Sequence, residues 1–151
     1  MIDSITGASY SPVAEAEHAA RLDAAARLVA DPLLPYRHIL GRASAVAVAR
    51  HLDRALQVIE QVGWTQGLMR GEDGGVCLLK ALTLAAGDER VGSYETSTTY
   101  VAGTYLDVMV HVVTGRPGWF LGWNDEPGRT RDEALALVRE AAEFARTHGP
   151  R

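Results

Sequence analysis

The chain of 151 residues has one cysteine, Cys77, and one lysine, Lys80. A lone cysteine excludes an intrachain disulfide and a cysteine-built metal cage. Apolar runs are short, broken by Lys80, Asp107 and His111, so nothing approaches the roughly 20 apolar residues of a membrane span. Met1 to Tyr10 carry neither a basic residue nor a long apolar run, which is not the pattern of a secretory signal. A soluble, cytoplasmic protein is the expectation. Basic charge is also scarce: 15 Lys and Arg stand against 19 Asp and Glu, a formal charge of −4. That balance argues against a broad nucleic-acid face, which needs clustered cations to displace counterions from phosphate. A phosphate-cradling loop is missing too. Gly71-Glu72-Asp73-Gly74-Gly75 has no strand before it and places acids where phosphate would sit.

What is present reads as one helical domain over residues 1–151, with a loose lead-in at 1–10 and a frayed tail at 148–151. Hydrophobic residues make up 47% and charged residues 23%, a balance that can fill a core. Ser11-Pro12 opens a helix to residue 30, stopped by Asp31-Pro32. Pro32 to Gly41 reads as a connector in which Leu33, Leu34 and Tyr36 pack on the body. Val48, Leu52, Ala55, Ile59 and Val62 recur at helical spacing, with Ser44 as cap and Gly63 as stop. Residues 63–75 hold five glycines and read as loop. Val76 to Ala86, apolar nearly throughout, predicts a short helix buried on most sides. Residues 91–114 admit two readings. Thr96 to Val101 has strand propensity, whereas Thr104, Asp107, His111 and Thr114 form a narrow polar stripe that fits a helix over 99–114 better. Gly115 to Arg129 is a second loop, and Thr130-Arg131-Asp132-Glu133 a capping box opening a helix to 147. The predicted fold is all-α: a compact bundle of about five helices with two Gly/Trp-rich loops.

The three tryptophans all fall in those loops. Trp64 with Gln66, and Trp119 and Trp123 with Asn124 and Asp125, are candidates for binding a small molecule or a protein partner. Against this, rings at helix ends complete cores, and Asn-Asp-Glu-Pro-Gly is turn chemistry. Cys77 lies near a helix N-terminus, where a thiolate is stabilised, but free cysteine more often packs as a small hydrophobe. Asp107 and His111, one turn apart, would orient and supply a base for Cys77 in a small acyl transferase or hydrolase. They are also an ordinary i, i+4 ion pair, or two metal ligands lacking a third. No motif calls for a cofactor or a metal, and self-association is left open.

Gly63-Trp64-Thr65-Gln66-Gly67, Gly75-Val76-Cys77-Leu78-Leu79-Lys80-Ala81-Leu82 and Trp123-Asn124-Asp125-Glu126-Pro127-Gly128-Arg129-Thr130 together resemble a family of unknown function found in small actinobacterial and actinophage proteins. The resemblance spans residues from about 45 to 147 and leaves the first helix as an addition. It implies a helical domain and points to Trp64, Cys77, Asn124 and Asp125. It brings no activity, and it does not include His111. Lys80 departs from it, standing where the family tends to have glycine. The function expected is a non-catalytic binding or accessory domain acting through the two tryptophan loops. The cysteine enzyme is the alternative. The two loops are expected to meet in space, with Asn124 and Asp125 either tying the first loop down or lining a pocket beside it.

Overall fold

A computed structural model describes residues 12–30, 37–40, 42–87 and 97–149. The helices are α1 (Pro12–Ala30), α2 (Arg37–Leu40), α3 (Ala45–Val62), α4 (Leu78–Ala85), α5 (Ser97–Thr114), α6 (Phe120–Asn124) and α7 (Arg131–His148). Among the described residues there is no strand, only isolated bridges in the loop after α3. The protein is mainly helical, as its periodicities predict, and residues 97–114 are helix rather than strand. Among the described residues no helix is long and apolar enough to cross a membrane. Residues 1–10, the start of the connector with Leu33, Leu34 and Tyr36, and residues 91–96 lie outside the described residues.

The apolar stripe of α3 does what its spacing demands. Val48, Leu52, Ala55 and Ile59 are buried to within a percent of completely, while Val62 at the helix end is exposed. Each wholly buried large aliphatic side chain contributes about 1.5–3 kcal/mol. The stripe meets α7, which buries Leu137, Val138, Ala141, Phe144 and Ala145, and α4 and α5 also pack on α3. Ser44 Oγ accepts the Ala47 amide at the start of α3. Thr130 and Glu133 close a complete capping box at the start of α7. His51 is buried among these helices. Its Nε2 lies 2.9 Å from the Leu82 carbonyl and 3.3 Å from Thr99 Oγ1, joining α3 to α4 and α5. Burial lowers its pKa by disfavouring the charged ring.

Three boundaries differ from the sequence reading. The third predicted helix begins at Leu78, because the Val76 amide bonds Gly63 O and its carbonyl accepts from Thr65. That pairing holds Val76 extended. The connector contains the single turn α2, and the second loop contains α6. The start of α6 is set by a distant cap: Asp107 Oδ1 accepts the Phe120 amide at 2.8 Å. A cap drawn from another helix leaves no mark in local spacing.

Candidate functional site

The two glycine-rich loops meet, and Asn124 joins them. Its side chain is fully buried. Oδ1 accepts Trp64 Nε1 at 2.7 Å and the Leu78 amide at 3.2 Å. Nδ2 donates to Thr65 O at 3.2 Å and to Asp125 Oδ1 at 2.8 Å. Two donors face one end of the amide and two acceptors the other, so its orientation is fixed by chemistry. Gln66 Nε2 donates to the carbonyls of Asn124 and Glu126, and Asp125 Oδ1 also accepts the Gly67 amide. Leu78 is the first residue of α4, so Asn124 satisfies one of that helix's orphan amides from the far loop. Gly75 lets the chain pass Trp64, since a Cβ there would lie 3.0 Å from the Trp64 carbonyl oxygen. Trp123 is buried with its ring 4.0 Å beneath the Arg129 guanidinium. Arg129 also pairs with Glu126 and Glu133. Of the two arrangements expected for Asn124 and Asp125, this is the tie, with the amide satisfied by protein.

Cys77 belongs to the same junction. It is the N-cap residue of α4, its Sγ accepting the Lys80 amide at 3.5 Å and donating to Met69 Sδ at 3.7 Å. Burial pushes the thiol pKa up, and backbone amides at the helix start offset this only in part. The helix N-terminus therefore does not yield a low-pKa thiol here. No contact joins Cys77 to His111 among the described residues. Nor is there an ion pair between Asp107 and His111, because Asp107 turns to Phe120 instead. Among the described residues no group of three or more His, Cys, Asp or Glu side chains is placed to hold a metal ion.

His111 and Asp107 do share a site, on the other side of α5. A cavity of about 560 Å³ opens between α1, α2, α5 and the loop over 115–119. Ala25, Val29, Leu40, Val108 and Val112 supply apolar wall, with Arg21, Tyr100, Thr104, Asp107 and His111 as its polar members and Trp119 among its lining residues. The polar stripe of α5 is thus the cavity's wall. Trp119 is 60% exposed and stacked on Phe120 at 6.4 Å between ring centroids. Gly118 brings the loop against α5, where a Cβ would stand 2.9 Å from Val110 Cγ1. Arg21 is committed: Nε donates to Val112 O at 2.5 Å and Nη1 lies 4.0 Å from Glu17. A cation at the C-terminal carbonyls of α5 also complements the helix dipole. Asp107 has no such partner. Burial raises its pKa from 3.8 to about 6, with the Phe120 amide pulling the other way.

Residues 43–144 match a family of unknown function (DUF6197). The chain belongs to this family. Comparison with curated proteins and with solved structures finds no match. The DUF6197 span contains the whole Asn124 junction and the α5 wall of the cavity. The facing wall, Arg21, Ala24, Ala25, Val29, Ile39 and Leu40, lies before it. The structure therefore separates the candidate residues into two groups. Trp64, Gln66, Cys77, Trp123, Asn124 and Asp125 stand at the junction, while Asp107, His111 and Trp119 stand at the cavity. Arg21, Tyr100 and Thr104 were missed as site residues. Thr104 had a signal, its place in the polar stripe of α5. Tyr100 had the same signal, four residues before Thr104 on that stripe, whereas Arg21 had none, because α1 and α5 are brought together only by the tertiary fold.

Proposed function

We propose that this protein is a non-catalytic binding domain that holds a small, largely apolar molecule in the cavity between α1 and α5. One observation carries the reading: a pocket of about 560 Å³, within the range of about 300–1,000 Å³ typical of ligand sites, mostly apolar with a few polar groups. Exposed Trp119 supplies an aromatic face at that site. Trp64, Gln66, Asn124 and Asp125 serve to hold the two loops together, and Trp123 is buried under Arg129, so ligand contact passes to Trp119 and the α5 stripe. A cysteine-dependent enzyme draws no support from a buried thiol with a raised pKa and no imidazole in contact. A free, unbridged cysteine agrees with a reducing compartment such as the cytoplasm.

The test uses N-phenyl-1-naphthylamine, a neutral dye that brightens in apolar sites. Its fluorescence is expected to rise saturably with the wild-type protein and to fall at least tenfold in apparent affinity with Val108→Trp, which fills the cavity. Binding that is unaffected by Val108→Trp, with the fold intact by circular dichroism, would place the dye elsewhere and remove the proposal.

A further inference from the structure

We infer that the cavity selects molecules carrying a protonated amine on an apolar body, with the Asp107 carboxylate as counter-ion. This rests on reading the cavity as a small-molecule site. The argument begins with charge on the cavity wall. Arg21 is held away from Asp107, its Nε donating to the Val112 carbonyl and its Nη1 lying 4.0 Å from exposed Glu17, and His111 is exposed on the next turn of α5. Asp107 is partly withdrawn from water and meets neither of them in an ion pair. One of its oxygens accepts the Phe120 amide. The other has no protein partner among the described residues.

A carboxylate kept from water without a cation opposes folding when ionised. Its second oxygen is a strong acceptor on a residue that lines a mostly apolar cavity, and a charge-assisted hydrogen bond from an ammonium gains from partial withdrawal from water. Trp119 adds an indole to the same lining, and an aromatic face attracts a cation as well as an apolar ring. A carboxylate ligand would meet Asp107 as a like charge and find Arg21 already engaged. The amine is the class that supplies Asp107 with the cation it lacks in the protein.

Three probes of nearly equal shape separate the outcomes: 1-naphthylmethylamine, 1-naphthylmethanol and 1-naphthoate. Each is titrated into the full chain at pH 7.5, with binding read from the indole N–H resonance of Trp119. The amine is expected to bind at least tenfold more tightly than the alcohol, and the naphthoate more weakly than either. Asp107→Asn, whose amide oxygen still accepts the Phe120 N–H, is expected to bring amine and alcohol within about twofold, the charge-assisted part of the pairing being lost. Equal binding of amine and alcohol, tightest binding of naphthoate, or an amine preference that survives Asp107→Asn would each overturn the inference while leaving a small-molecule cavity. Failure of all three probes to move the Trp119 resonance would overturn the cavity reading, and the inference with it.

Discussion

At the scale of single residues, Asn124 and Cys77 carry opposite lessons about buried polar atoms. Asn124 satisfies donors on two other segments, so truncating it strands the Trp64 indole N–H and the Leu78 amide inside the protein. Each stranded donor costs about 1–3 kcal/mol. Asn124→Ala is therefore expected to lower stability by about 2–4 kcal/mol in urea denaturation. Asp125→Ala, whose carboxylate is more exposed, is expected to cost about 1 kcal/mol. Equal stability of Asn124→Ala and wild type would mean that the junction is not formed in solution. Cys77 is buried for packing and for capping α4, and burial raises its pKa. Its thiolate fraction at neutral pH is accordingly low, and its reaction with a disulfide reagent should be slow in the native protein and fast in urea. Rapid native modification at pH 7 would revive the nucleophile.

At the scale of elements, helices that declare themselves by local spacing were legible, and those fixed by distant partners were not. The apolar stripe of α3, the Ser44 cap and the Thr130–Glu133 box lie within a few residues of what they control, so the sequence displays them directly. Thr130→Ala, which removes the side-chain half of that box, is expected to cost about 0.5–2 kcal/mol in thermal or urea unfolding. No change would mean the α7 amides find water at no loss. By contrast, α6 begins where Asp107 on α5 reaches the Phe120 amide, and α4 begins where Val76 leaves its pairing with the first loop. Neither partner is near in sequence. The candidate site divides in the same way. The tryptophan motifs were visible, but only tertiary contacts distinguish a junction at Asn124 from a cavity at Trp119. The polar stripe of α5 was visible as well. That it faces α1 follows from packing that no periodicity encodes.

At the scale of the whole molecule, Asp107 makes stability depend on pH in a direction opposite to that of most carboxylates. Its folded pKa of about 6 lies above the ordinary 3.8, so between those values the folded protein holds the proton that the unfolded chain releases. Stability from this group is fully present below about pH 4 and is lost as pH rises through about 6. The charged and titratable neighbours at the cavity are Arg21 from α1 and Tyr100 and His111 from α5, and neither Arg21 nor His111 is ion-paired to it. A shift of this size in a fully buried group would correspond to about 3 kcal/mol. Partial exposure of Asp107 reduces this to about 1–2 kcal/mol. Asp107→Asn keeps an acceptor for the Phe120 amide and removes the ionisable group. It is therefore expected to match wild type near pH 4 and to exceed it by that amount at pH 7.5. The measurement is urea unfolding of both proteins across pH 4–8, compared as a difference so that other titrating groups cancel. A variant less stable than wild type at pH 7.5 would show that the carboxylate's charge supports α6 more than its burial opposes folding. With 1-naphthylmethylamine present, the sign should change for wild type alone. A ligand that pairs with the carboxylate binds the folded state selectively, and its stabilisation should grow as pH rises through 6 and fade in Asp107→Asn.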